Sequence, residues 1–403
     1  MQALPKLSIR KGREYQVSRG HPWLFSGAIS QAPGKISPGA LVDLIDVDGR
    51  FVARGYYNPT CDIAVRILSR DKEETVDQDF LKKRLADACA LRRAALDWQK
   101  TNAFRLVNAE GDFLPGFIVD YYDGVCVVQS HTAGADLLMD DFLAALKSVV
   151  APRAVVLRND AGVRVREGLP LSEPVIVHGE VPPELIVKEN NLSFVVDVVS
   201  GQKTGFFTDQ REKRANLAGY CRSLPDQATV ANVFSYTGAF GVYAALANPA
   251  IKTINIDSSE RALSAARRNY QLNSIALESH EFVEADAFQW LAEQESGGTQ
   301  FDVVILDPPA FAKGHKEKAR AQKAYVRMDA SGIKLTRSGG LLIVCSCTGA
   351  VSLAEFEDCL REAAAHQGRQ IQILETFRNS LDHPVNVTTP ESFYLKVLFC
   401  RVL

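Results

Sequence analysis

The sequence predicts an α/β protein: an open, mostly parallel sheet with an antiparallel last strand, preceded by a small β-barrel and an α+β middle segment. Three observations carry this. From about residue 186 onward, strand-like runs alternate with helical stretches; the last two strand-like runs have no helix between them; and the leading residues are short β runs punctuated by Gly and Pro.

Residues 1–73 hold the runs ALVDLIDVDG, RFVARGYY and IAVRILSR, with Asp48-Gly49 between the first two as a hairpin signal. Ahead of them stand Lys6, Arg10, Lys11, Arg13 and Arg19, then GHPWLFSG. Those cations suit RNA phosphates, with an aromatic such as Trp23 stacking on a base. Trp23 and Phe25 themselves read first as barrel core, and the alternative for the cations is a solvated surface. Residues 74–185 read as α+β. FLKKRLADACALRRAAL has apolar positions 81, 85, 88, 91 and 95 along one side, as a helix requires. FLPGFIVDYYDGVCVVQS is a hairpin turning at Asp123-Gly124, ADLLMDDFLAALKSVV a second helix and AVVLRND a further strand. The charges Arg105, Glu110, Asp112 and Arg158 read as structural or surface groups, and the segment as a spacer that shapes a substrate cleft.

Residues 186–403 form the third segment. Strands are legible at 229–234, 251–256, 281–285, 301–306 and 340–346, with helical stretches after each, which implies a parallel, doubly wound sheet. RQIQILETF and SFYLKVLFCRV follow with only a loop between them, so the last strand must enter antiparallel. Nicotinamide-binding domains do not usually end this way.

With 403 residues, two to four domains are expected, and 46% hydrophobic and 23% charged residues are ordinary globular values. No window has the ~18 apolar residues of a membrane span, and MQALPKLSIRKGREYQ lacks the apolar core of a secretory signal. The eight cysteines include no CxxC pair, and Cys345 and Cys347 have no second pair or nearby His. Reduced thiols in a cytoplasmic protein, with no metal site, are therefore expected. The net charge of −2 hides an uneven distribution. Residues 1–70 carry ten Lys or Arg against five Asp or Glu, a balance of +5, which leaves −7 for the rest. A basic leading module on an acidic body is a pattern for local RNA binding.

In open α/β sheets ligands bind at the carboxyl ends of the strands. After the first strand comes SYTGAFG, residues 235–241, where Gly238 and Gly241 let the backbone approach a ligand or simply form a tight turn. Asp257 after the second strand suits ribose hydroxyls, and Asp286 after the third suits an adenine amino group. Either Asp could cap its helix; together they favour a nucleoside cofactor. After the fourth strand, ILDPPAF sets Asp307 before two prolines, a rigid loop poor in donors that suits a flat nucleobase. The fifth ends in Cys345-Ser346-Cys347-Thr348. A thiol there can add to an electrophilic ring carbon. Cys345, deeper in the strand, reads as a small buried hydrophobe, and Cys347, at the edge, as the nucleophile.

These motifs resemble those of the PUA-domain-containing cytosine-C5 methyltransferases of large-subunit (23S) ribosomal RNA, over nearly the whole chain. GHPWLFSG (20–27) is similar to the entry of that family's PUA domain and RLVNAEGDFLPGFIVDYY (105–122) to its middle domain. GQKTGFFTDQR (201–211), NVFSYTGAFGVYAA (232–245), DSS (257–259), DPPAF (307–311), SCT (346–348) and DHP (382–384) match its catalytic domain in order. The resemblance implies a Rossmann-like class I methyltransferase sheet and the cofactor S-adenosyl-L-methionine. Residues 202–211, including Phe207, Asp209 and Gln210, would cover it, with Phe234, Tyr236 and Gly238 beside it. Asp257 would meet the ribose and Asp286 the adenine. Asp307 would face the methionine amine or the target base, and Cys347 would be the nucleophile. REKR departs from the Asp-Asn pair expected after Gln210, and Thr348 stands where Ser is usual.

The implied chemistry is attack of Cys347 on C6 of a cytosine, methyl transfer to C5, loss of the C5 proton and release of the cysteine. The expected partner is large-subunit ribosomal RNA, naked or partly assembled, with no membrane; a monomer or homodimer is expected. Rival readings are an exocyclic-amine (guanine N2) RNA methyltransferase, a non-catalytic RNA-binding assembly factor and a nicotinamide dehydrogenase.

Overall fold

The computed structural model describes residues 4–312 and 314–403; the first three residues of the expected leading module lie outside it. The chain divides into two units. One comprises residues 1–187, 196–208 and 381–392, the other 188–195, 209–380 and 393–403.

The first unit contains a six-stranded sheet with strands Lys6–Ile9, Trp23–Phe25, Ile29–Gln31, Leu41–Ile45, Phe51–Tyr57 and Ile63–Ser69. Alternation sends Val42 and Leu44 inward against Leu7, Ile9, Val65 and Ile67. The expected turn before Phe51 contains Gly49 at φ +75°. Trp23 and Phe25 are not core. Trp23 is half-buried with its indole N–H on Glu110 Oε1 at 2.9 Å, and Phe25 is 40% exposed. Aliphatic side chains fill the space instead.

A five-stranded sheet follows, from Ala103–Asn108, Phe117–Tyr122, Val125–Ser130, Ala154–Leu157 and Val175–Gly179. Helices Gln78–Ala95 and Met139–Val150 supply Leu81, Leu85, Phe142 and Leu146 to its core. Asp77 starts the first helix by accepting the amides of Asp79 and Phe80 at 3.0 Å. The hairpin turns at Asp123-Gly124, both left-handed (φ +46° and +86°), which suits the strand twist. The charges expected to be structural are so. Arg92 forks onto Asp112, Arg105 Nε sits 2.6 Å from Asp120 Oδ1, and Arg158 Nη2 2.7 Å from Asp160 Oδ2. The Asp-His-Pro motif joins this network: Asp382 accepts Arg105 N at 2.8 Å through its side chain and Arg92 at 2.7 Å through its carbonyl.

The second unit is built on seven strands: β1 Thr229–Val233, β2 Lys252–Asp257, β3 Glu281–Glu284, β4 Phe301–Leu306, β5 Thr336–Ser346, β6 Ile371–Phe377 and β7 Lys396–Val402. Their order across the sheet is β3-β2-β1-β4-β5-β7-β6. The first five are parallel, and β7 runs antiparallel to both neighbours, as the missing crossover helix requires. β5 starts earlier than expected, because a bulge lets Thr336 pair with Phe301 before regular pairing resumes at Leu341 opposite Val303. Helices Ala239–Ala247, Glu260–Leu272, Ala287–Ser296, Lys318–Leu335 and Leu353–Gln367 make the crossovers. One core layer gathers Val304, Leu306, Tyr325, Leu342 and Phe356; the other gathers Val303, Ile305, Ile343, Cys345 and Phe399. No helix among the described residues is long and apolar enough to cross a membrane.

Within the first layer, Asp329 of the Lys318–Leu335 helix is fully buried and neither carboxylate oxygen has a partner. Burial holds its carboxyl well above the usual range, so the folded chain keeps it neutral. The unfolded chain ionises it near pH ~4, so this group costs stability that grows as pH rises from there toward the folded value. Asp329→Asn is therefore expected to raise the melting temperature at pH 7–8, with the gain shrinking toward pH 4. A gain that is the same at every pH would contradict the account.

Candidate active site

The turn after β1 is wound tightly. Phe234, Tyr236 and Gly238 all have left-handed backbones, φ +61°, +48° and +71°. Ser235 N donates to Ile256 O at 2.8 Å and Tyr236 N to Asp257 Oδ2 at 2.8 Å, so this turn is tied to the end of β2. The other Asp257 oxygen accepts Ser259 N at 3.0 Å, and Ser259 caps the next helix. Packing requires Gly238 and Gly241. A Cβ on Gly241 would lie 2.2 Å from Tyr270 Oη, and one on Gly238 2.8 Å from Ala266 Cβ. Asp286 is exposed and caps the helix that follows it, accepting Gln289 N at 3.0 Å.

The ends of β4 and β5 come together. Gln210, buried ahead of helix Arg211–Cys221, donates from Nε2 to Asp307 Oδ2 at 3.0 Å. Asp209 is fixed by the Tyr394 hydroxyl on Oδ2 at 2.6 Å, and its carbonyl takes the buried Lys213 ammonium at 2.7 Å. Phe207 belongs to the first unit, where the Lys203 ammonium stands 4.4 Å over its ring.

Cys345 of β5 and Cys347 just beyond it share a sheet face but not an environment. Cys345 is fully buried, and burial, then the Asp307 charge, push its thiol well above the ordinary range. It is held as a neutral thiol. Cys347, just past the strand, is half-buried, with Sγ 3.9 Å from the Pro308 carbonyl of the proline loop. Only Cys347 pairs access with proximity to that loop.

Thr348 fastens the two loops. Its buried Oγ1 accepts Phe311 N at 3.2 Å and bonds the Tyr325 hydroxyl at 2.8 Å. Lys396, the first residue of β7, donates to its carbonyl. Neither role was read from the sequence, although a lone cation inside the apolar run YLKVLFC was a visible signal. Among the described residues no cluster of His, Cys, Asp or Glu could hold a metal ion.

Comparison with known proteins agrees with this architecture. Residues 7–70 match a PUA-like domain and residues 164–400 an S-adenosylmethionine-dependent methyltransferase. The chain is similar to a ribosomal RNA large subunit methyltransferase I of Alteromonas mediterranea, 38% identical over 396 residues and 98% of each chain. It is also similar to a protein of the same name from Klebsiella pneumoniae, 36% identical over 400 residues, covering 99% of this chain and 98% of that one. A solved methyltransferase structure complexed with SAH has the same fold, with TM-score 0.83 at 23% identity over 98% of this chain and 99% of that one.

Because its carboxylate ends β2 and orients Tyr236, Asp257 is expected to matter for cofactor affinity. Asp257→Ala should weaken S-adenosylmethionine binding by roughly ten- to a hundredfold, about 1.5–3 kcal/mol. Calorimetry that finds unchanged affinity in a folded variant would leave this carboxylate with a turn-building role alone.

Proposed function

The chain belongs to the S-adenosylmethionine-dependent methyltransferase family that includes the ribosomal RNA large subunit methyltransferases I, and from that premise we propose that it methylates cytosine C5 in large-subunit ribosomal RNA. The observation that carries the choice of C5 is Cys347, an accessible thiol at the carboxyl edge of the sheet, 3.9 Å from the proline loop. A methyltransferase of exocyclic amines has no use for a nucleophile there. Its aromatic would also have to stack on the base, whereas the Phe311 ring packs 4.8 Å from Tyr325 and 6.1 Å from Phe288.

The residues present fit the cofactor. Gln210 Oε1 and Ser235 Oγ are buried polar atoms without a protein partner, beside the β4 end and within the β1 turn respectively. Asp209, Gln210, Phe234, Tyr236, Gly238, Asp257 and Asp286 would hold S-adenosylmethionine. When bound, it supplies an electrophilic methyl group.

Cytosine C5 is a weak nucleophile until the 5,6 double bond is opened. Cys347 thiolate adds to C6, and the electron pair of that bond moves toward N3 and enriches C5. Asp307, oriented by Gln210, would in its protonated form give N3 the proton it takes up as the thiolate adds. After transfer, loss of the C5 proton drives elimination of the thiolate and restores the ring. The target base must leave its stack, at roughly a few kcal/mol unless already unpaired.

Residues 1–73 are the RNA-binding module of this reading, 74–185 the middle domain and 186–403 the catalytic domain. Lys6, Arg10, Lys11, Arg13 and Arg19 are all exposed, as phosphate contacts require. We place the protein in the cytoplasm, acting on naked or partly assembled RNA as a monomer or homodimer.

Cys347→Ala is expected to abolish turnover with cofactor binding intact, and Cys345→Ala to cost only packing. RNA carrying 5-fluorocytosine should trap a covalent adduct on Cys347, because fluorine blocks the final proton loss. An adduct on another cysteine would move the nucleophile; no adduct together with an active Cys347→Ala would replace C5 by an exocyclic amine. Separately, Arg10, Lys11 and Arg13 changed together to Gln should flatten the salt dependence of RNA binding, by roughly 0.7–0.9 in log–log slope per lost phosphate contact. An unchanged slope would make this cluster plain surface.

A further inference from the structure

One buried cation has no part in the chemistry so far. Lys396 opens β7 opposite Ser346 and is 1% exposed. Its ammonium donates to the carbonyls of Thr348 at 2.7 Å and Val351 at 2.9 Å, both in the turn that follows Cys347. Among the described residues no carboxylate pairs with it. Two neutral carbonyls under-compensate a buried ammonium, which ordinarily finds a counter-charge. The acidic groups that act on it are Glu355, which is engaged by Lys318, and Cys347 when ionised.

We propose that Lys396 is a positioning residue for Cys347: its ammonium fixes the turn 348–351 and is the counter-ion of the attacking thiolate. The inference rests on the reading of Cys347 as nucleophile. The groups facing this pair come from four elements. They are the Thr348 and Val351 carbonyls past β5, Glu355 of helix Leu353–Gln367, Tyr325 of helix Lys318–Leu335, and the Pro308 carbonyl past β4. Tyr325 is held in neutral form by burial, so it adds no charge. Burial lowers Lys396 to about 8, so it is mostly charged at neutral pH and releases its proton just above. The cation is thus present in the range where an ordinary thiol, with pKa ~8.5, is mostly protonated.

The test measures alkylation of Cys347 by iodoacetamide against pH in the full-length protein, read by peptide mass spectrometry. The wild type should show a midpoint below ~8.5, the value of an ordinary thiol. Lys396→Met should raise that midpoint by a unit or more and lower kcat at pH 7 at least tenfold, with recovery toward pH 9. KM for S-adenosylmethionine should stay within twofold, and Lys396→Arg should keep the wild-type midpoint. A folded Lys396→Met that binds SAH normally but has an unchanged midpoint overturns the proposal, even if its activity falls. If Lys396→Met does not fold, the wild-type titration decides alone, and a midpoint at or above that of an ordinary thiol overturns it. An active Cys347→Ala would instead sink the nucleophile reading on which the proposal rests.

Discussion

Strand β7 runs against β5 with Leu341 opposite Arg401 and Ser346 opposite Lys396, and this reversal governs the chemistry of the second unit. The five parallel strands all bring their carboxyl ends to one edge, where the turns carrying Tyr236, Asp257, Asp286, Asp307 and Cys347 lie. β6 points the same way as those five, but a strand of that direction placed beside β5 would deliver another carboxyl end. The reversed strand delivers its amino end, and with it a lysine. The last strand therefore fills the place between β5 and β6 and also brings Lys396 to that edge.

Electrostatics then separates groups that sequence spacing makes alike. Cys345 and Cys347 point to the same face, yet burial and the Asp307 carboxylate keep the first thiol neutral. The second sits against the Pro308 carbonyl with solvent access. Thr348 couples the two loops through one hydroxyl, so the proline loop and the cysteine turn cannot shift independently. The hydroxyl needed for this is available from either Ser or Thr, which accounts for the tolerance of Thr at that place.

Buried charges elsewhere follow the usual rule of close pairing. Arg214 forks onto Glu189 at 2.7 and 2.5 Å in the second unit, and Arg92 onto Asp112 in the first. Against that background Asp329, Lys213 and Lys396 are, among the described residues, buried ionisable groups without an ion pair. Burial moves each toward its neutral form. Asp329 is surrounded by apolar core and is a cost to stability. Lys396 holds two carbonyls beside a titratable thiol and has a use.

The sequence by itself determined the alternation of strands and helices, the antiparallel end and the acidic residues at the strand ends, because each is a local pattern or a limit on connection length. It also located Asp307 and Cys347, since a proline pair and a strand terminus can be read from neighbouring letters. Only the tertiary structure decided what lies across the sheet. Trp23 binds Glu110 instead of filling a core, the glycines after β1 answer to Ala266 and Tyr270, and the Asp-His-Pro motif joins the Arg92–Asp112 network of the first unit. Gln210 reaches Asp307, and Lys396 reaches the turn beyond Cys347. These contacts join residues far apart in the chain. Their energies depend on burial, and burial exists only once the sheet has paired and its two faces are covered.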